Sequence, residues 1–171
     1  MREIGLSAKG AAFIGAWEGY RPTVYADTRG FATIGIGHLL HESPPTQADE
    51  RLHWTYDFAL RQLRVDAEAN GLNAIRRHVT VKLTGAQVDA LCSLAFNCGP
   101  GCLDPGHVVT VAVNSKPHRW NIARMRQWHQ RVRLAFLAWA HPQVLERRRL
   151  SEAQLFATGC YRRPFNPYAN S

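Results

Sequence analysis

Residues Glu18–Leu40 read EGYRPTVYADTRGFATIGIGHLL. One carboxylate stands at Glu18, a second at Asp27 and a hydroxyl at Thr33, and a Gly35-Ile36-Gly37-His38 segment follows. Upstream, Ser7 is a cap residue, and Ala11, Phe13, Ile14 and Trp17 supply apolar contacts for a helix ending near Glu18-Gly19. Pro22 then imposes an extended or turn conformation. Val24 and Tyr25 read as strand, and Asp27-Thr28-Arg29-Gly30 as a turn. Phe31, Thr33 and Gly35 alternate with Ala32, Ile34 and Ile36, a period of two. The stretch is predicted to be a helix end, a tight turn and a short β-hairpin. Two carboxylates and a hydroxyl on so compact an element suit acid/base chemistry on a polar substrate.

Downstream the pattern turns helical. After the linker Glu42-Ser43-Pro44-Pro45, Thr46-x-x-Asp49 resembles a helix start. Leu52, Tyr56, Ala59, Leu63 and Asp66 then recur at helical spacing, predicting a connecting helix over about 48–70, interrupted or ended by Gly71. Thr84-Gly-Ala-Gln87 is a capping-box pattern leading into Val88, Leu91, Cys92, Ala95 and Phe96. Val108–Val113 reads as one more short helix. Trp128, Val132, Ala135, Phe136 and Trp139 share a face, and Pro142 opens a last helix with Leu145, Arg148, Glu152, Leu155 and Phe156 on one stripe. The expected class is α+β: one domain over 1–171, with a small sheet lobe at about 19–47. The connecting helix leads to a helical lobe at about 71–160, which also takes the N-terminal helix. Trp120, Trp128 and Trp139 are core by spacing; the alternative for one of them is a sugar-stacking platform.

Composition excludes several classes. Hydrophobic residues are 46% and charged residues 20%, a globular balance. No apolar run approaches the ~20 residues of a membrane span, and MREIGLSAKGAAFIGAWEGY is too short and too broken by charge for a signal peptide. The net charge is +8, and residues 115–163 hold eleven Lys and Arg against two acids, a net of +9. That half calls for an anionic partner. Its basic residues are spread over several helices and carry no nucleic-acid motif, so nucleic acid is not expected. Cys98-x3-Cys102 could be half of a zinc site with Cys92, His107 or Cys160, but no second close pair exists. Buried free thiols or one disulfide fit better, and neither a metal nor a cofactor is expected.

At this point the residues resemble a known family. Glu18, Asp27 and Thr33, with GIGHLL at 35–40, are similar to the catalytic stretch of the phage-type lysozymes, glycoside hydrolase family 24. LTGAQVDALCSLAFNCGPG at 83–101 resembles that family's second motif, and Arg148-Arg149-x-x-Glu152-x-x-Leu155-Phe156 its closing Arg-Arg-x-x-Glu motif. The stretch 104–143 departs from the family pattern. The resemblance implies a lysozyme-like fold and a muramidase that cuts peptidoglycan between N-acetylmuramic acid and N-acetylglucosamine. Glu18 would be the general acid, its pKa raised by Trp17 and Phe31. Asp27 would stay ionised, and Thr33 would hold the attacking water, a geometry suited to inversion. His38, with Asp66 as partner, and Arg148, against the acid, would position the site. Phe31, Gly37 and Asn97 would contact substrate.

The same residues leave other readings open. A lytic transglycosylase needs only Glu18, and a cationic wall- or membrane-binding protein needs no chemistry at all. The partners expected are the glycan strands and the anionic cell wall, with an immunity or delivery protein if the chain is a delivered toxin, and the chain acting as a monomer. Without a signal peptide, action at the wall implies release through a holin or delivery by another route.

Overall fold

The computed structural model describes residues 5–162. The chain is mainly helical with one small sheet, and it divides into two compact units: Ala11–Asp66, and Met1–Gly10 together with Ala67–Ser171. It passes between them inside helices, so the N-terminal helix is shared rather than belonging wholly to the helical unit.

In the unit Ala11–Asp66, helix α1 (Ala8–Glu18) leads into strands β1 (Arg21–Ala26), β2 (Ala32–Gly35) and β3 (His38–His41). They form an antiparallel sheet in the order β1-β2-β3, with Tyr25 opposite Thr33 and Thr33 opposite Leu39. The expected hairpin is thus three-stranded, and the alternation in β2 does not sort its side chains into wet and dry. All four residues of this central strand are buried. Trp54 and helix α2 (Tyr56–Ala67) help to cover it. Gly35 sits at φ +70°, and a Cβ there would lie 2.8 Å from the Trp54 ring and 3.1 Å from Ala59 Cβ. Only glycine meets both conditions. Gly15 plays a similar role on α1, where a Cβ would come within 3.3 Å of Ile36 Cδ1.

The connecting helix starts later than its pattern suggests. The Asp49 carboxylate accepts the Thr46 backbone N–H and hydroxyl, each at 2.7 Å, as an N3 side chain does at a helix start, but only a 3-10 turn, Asp49–Arg51, follows. Residues 52–55 are then drawn toward β1: His53 bridges Thr23, and the Trp54 N–H donates to the Pro22 carbonyl at 2.8 Å. Regular helix begins at Tyr56. At the other end Gly71 interrupts the regular helix, as expected, without ending it. A π-helical turn, Glu68–Leu72, passes through it into α3 (Asn73–His78). A Cβ at Gly71 would meet Ala95 Cβ at 3.3 Å, so the glycine permits close packing on the next helix.

The helical unit is built around α4 (Gly85–Cys98), which starts with the expected capping box between Thr84 and Gln87 and buries Gln87–Ala95. Helices α5 (Val108–Asn114), α6 (Ile122–Leu137) and α7 (Glu146–Thr158) complete it. Trp128, Val132, Ala135 and Phe136 are buried along α6, and the Trp128 indole N–H donates to the Ala112 and Val113 carbonyls at 3.0 and 3.1 Å. The three tryptophans do not share this fate. Trp139 is half-buried, and Trp120 precedes the helix cap Asn121 with 79% of its surface exposed. Pro142 precedes a short 3-10 turn, so α7 starts at Glu146.

One buried carboxylate fastens both ends of this unit. Asp89 on α4 accepts the Ser7 N–H at 2.9 Å, the Ser7 hydroxyl at 2.5 Å and the Tyr161 hydroxyl at 2.6 Å. Ser7 Oγ in turn accepts the Gly10 N–H at 2.9 Å, the expected cap. Burial and the bond to Asp89 push the Tyr161 phenol up to about 12. All four cysteines are free thiols, with Cys92 and Cys102 buried; burial pushes Cys102 up to about 12, an unreactive state. No helix of the described residues is long and apolar enough to cross a membrane.

Candidate active site

The residues of the opening stretch fall on one compact element, the sheet with the helix that enters it. Glu18 is the last residue of α1 and is exposed. Gly19 follows at φ +79°, which ends the helix there. Asp27 leads the turn between β1 and β2. Its Oδ1 accepts the Arg29 N–H at 2.8 Å and the Phe31 N–H at 2.9 Å, while the Arg29 guanidinium lies 3.3 Å from Oδ2. The Phe31 N–H foremost, with the Arg29 N–H and guanidinium, holds the Asp27 carboxyl below its usual range despite some desolvation. Each of these donors favours the charged form. Asp27 is therefore an anion at neutral pH, an acceptor rather than a donor of protons.

Thr33 stands on β2, opposite Tyr25, and is 5% exposed. Its hydroxyl donates to the Phe31 carbonyl at 3.2 Å, which leaves its oxygen lone pairs as acceptors. Phe31 is half-buried beneath the Arg29 guanidinium, 4.7 Å from its ring. Gly37, at φ +70° in the β2–β3 turn, is exposed with open space at its α-carbon, a place where a ligand can approach the backbone.

His38 Nδ1 is 2.9 Å from Asp66 Oδ2, so the end of β3 is tied to α2. Sequence reasoning missed the rest of this cluster. Gln62 donates to Asp66 Oδ1 at 2.9 Å, and Trp54 packs 5.2 Å from the His38 ring. Gln62 precedes Asp66 by one helical turn, which was a usable signal; the approach of Trp54 from an extended segment carried none.

In the helical unit, Arg148 and Asn97 are held from within. Arg148 is buried and donates from Nε to Glu152 Oε1 at 3.1 Å and from Nη2 to the Ser93 carbonyl at 3.2 Å. Arg149, fully buried and also missed, spans the same acid and the end of α4. It donates to Glu152 Oε1 and Asn97 Oδ1, both at 3.0 Å, and to Cys98 Sγ at 2.8 Å. Its Nε lies 2.8 Å from Glu152 Oε2 but off the line of a hydrogen bond, so that contact is ionic. Ser93 adds a hydroxyl to Glu152 Oε1 at 2.6 Å. Burial pushes the Glu152 carboxyl up while the two guanidiniums pull it down. The doublet Arg148-Arg149 advertised this network; only one of its members falls on the apolar stripe. Among the described residues no group of three or more His, Cys, Asp or Glu could hold a metal ion.

The Phage lysozyme family matches residues 15–152. An endolysin of Salmonella phage P22 is 30% identical over 169 residues, covering 88% of this chain and 97% of that protein. A crystal structure of a mutant P22 lysozyme superposes with a TM-score of 0.71 at 28% identity, over 90% of this chain and 99% of its own. The muramidase domain of SpmX from Asticaccaulis excentricus does so at 0.66 and 26%, over 90% and 98%. An endolysin from Escherichia coli O157:H7 phage FAHEc1, at 23% identity and 0.73 over 92% and 96%, shares the fold.

Proposed function

The chain belongs to the phage lysozyme family, lysozyme-type glycoside hydrolases of peptidoglycan, and on that premise we propose that it cleaves the β-1,4 bond between N-acetylmuramic acid and N-acetylglucosamine with Glu18 as acid and Asp27 as the charged partner. The observation that carries the assignment is the state of Asp27. Three donors fix it as an anion on the turn between β1 and β2, with the Thr33 hydroxyl two residues beyond Phe31. Glu18 gives its proton to the glycosidic oxygen as the C–O bond breaks. Positive charge then builds on the anomeric carbon, and Asp27 stabilises it. A water held between Asp27 and the free lone pairs of Thr33 attacks that carbon and passes its proton to Asp27. A carboxylate of lowered pKa is a weak base, so this transfer runs late, once the carbon is already cationic and the water acidic. Inversion follows if the water enters on the face opposite the leaving group. His38, held by Asp66, keeps β3 and the Gly37 turn in place for the strand, while Phe31 and Asn97 contact the sugars. The family motif around Arg148 supports its role as the residue that positions the acid. The protein acts at the cell wall, reached through a holin or by delivery.

Digestion of purified sacculi with wild type, Glu18→Gln and Asp27→Asn, with the sugar ends identified by mass spectrometry, tests this. Wild type yields reducing N-acetylmuramic acid ends, and each variant loses roughly 10²–10⁴-fold in rate. Anhydro-ended fragments that persist in Asp27→Asn would establish a transglycosylase instead. Full lysis by Glu18→Gln would refer the effect to cationic wall binding.

A further inference from the structure

Two hollows lie in the helical unit away from the residues assigned above. One, of about 660 Å³, is lined by the start of α4, the segment Lys116–Trp120, and the end of α7. The other, of about 400 Å³, runs between α6 and α7 past Arg126, Gln130 and Arg133. They share the lining residues His129 and Ala157, so they adjoin as the two parts of a groove along α6 and α7. Gln87 and Phe156–Gly159 line it, so the groove lies at the ends of α4 and α7 opposite those that carry Asn97 and Arg148. Among its described lining residues none is Asp or Glu, while Lys116, Arg126 and Arg133 are cations. Arg126, His129 and Arg133 stand at i, i+3 and i+7, so they point along one face of α6. At the mouth is Trp120, 79% exposed, the large flat side chain that its spacing would have placed in the core.

We propose that this groove is a second, non-catalytic site for a peptidoglycan glycan strand: Trp120 stacks on a sugar ring, and Arg126 and Arg133 pair with stem-peptide carboxylates. The proposal rests on peptidoglycan being the substrate. Met125 in the first hollow and Arg133 in the second stand about 12 Å apart along the helix, the length of a short oligosaccharide. An aromatic face beside polar donors suits a pyranose ring, which offers C–H bonds on one side and hydroxyls at its rim. Cations at intervals of about two helical turns suit carboxylates borne at intervals on a strand. A membrane is a poorer fit. The exposed apolar residues of α6, Ile122 and Leu134, lie about 120° apart around the helix, with Arg124, Arg126, Arg131 and Arg133 spread among them. The consequence is an enzyme that stays on the wall between cuts, because one strand is gripped while another is cleaved.

The test is cosedimentation with insoluble sacculi in a Glu18→Gln background, so that the polymer survives. Trp120→Ala should weaken retention roughly 2–10-fold, as expected for loss of one stacked ring. The pair Arg126→Glu/Arg133→Glu should weaken it about tenfold or more, and the milder Arg126→Gln/Arg133→Gln should fall between. The pair Arg61→Glu/Arg64→Glu on α2, of equal charge change outside the groove, should leave retention within about twofold. All of these residues are exposed, and unaltered far-UV circular dichroism confirms folding. Retention unchanged in the groove variants, or reduced equally by the α2 pair, overturns the proposal. So does a loss confined to anionic lipid vesicles or DNA while sacculi are still bound. Groove-dependent retention together with a wild type that releases no sugar ends would sink the catalytic assignment and leave this one standing.

Discussion

Substituting Glu152 by Gln tests the network that holds the closing motif. The side chain is wholly buried and accepts Ser93, Arg148 and Arg149 within 2.6–3.1 Å. Gln keeps the volume and one carbonyl oxygen but removes the charge, leaving two buried guanidiniums without their counter-ion. Breaking a buried pair from one side costs about 3–5 kcal/mol, far more than the pair's net worth. For a chain of this length each kcal/mol moves the midpoint by about 2–4 °C, so Glu152→Gln should lower Tm by about 6–20 °C. Thermal unfolding followed by far-UV circular dichroism reads this, and a urea titration gives the free energy directly. Glu68→Gln, which removes one charged partner of Arg76 near the surface, is the control and should cost at most about 1 kcal/mol. The triple change Arg148→Met/Arg149→Leu/Glu152→Leu should be less destabilised than Glu152→Gln alone, because no charge is left stranded. A Tm drop below about 2 °C for Glu152→Gln would show that water or a shifted side chain compensates the arginines, and the reasoning would fail.

Other perturbations follow from the geometry. Gly35→Ala forces φ +70° on an L-residue and drives a methyl into the Trp54 ring, so it should cost roughly 2–5 kcal/mol by urea denaturation. Asp66→Asn weakens the hold on His38 and should cost about 1–3 kcal/mol, with faster hydrogen exchange confined to β3 and the adjoining turn. Burial, and then the nearby Lys116, push the His129 pKa below 6.5. The folded state thus favours neutral His129; its contribution is present above 6.5 and lost as pH falls through the lowered value. Stability measured between pH 7 and 5 should therefore drop on acidification, and His129→Gln should flatten that slope.

Much of the site's arrangement could be read from residue order. Asp27 and Thr33 were placed on the turn and the strand by a proline, a turn tetrapeptide and a period of two. The Thr84–Gln87 cap and the inward Arg148 followed from helical spacing. What escaped was decided by partners remote in sequence. Leu52–Thr55 carry a helical pattern but are captured by β1 through Thr23 and Pro22. Gly71 has the local character of a stop, yet its missing side chain serves the approach of Ala95. Trp120 shares a period with Trp128 but lies before the Asn121 cap, and the chain from Asn121 to Arg124 is exposed with it, so the buried stripe of α6 starts only at Trp128. Arg149 could not be assigned from its own helix, because its partners on α4, Asn97 and Cys98, are about fifty residues away.

The Asp89 cage sets an order for assembly. Its donors lie 82 residues before it and 72 after it, so on a growing chain the carboxylate can meet Ser7 as soon as α4 emerges and Tyr161 only after 72 more residues. Until then a charge destined for the interior keeps its hydration, and the first turn of α1 has a provisional anchorage. The final docking of Tyr161 supplies the last of the three donors to Asp89. If the contact is made after the rate-limiting step, Tyr161→Phe should speed unfolding of the helical unit and leave the folding rate unchanged; slower folding would place the contact in the transition state.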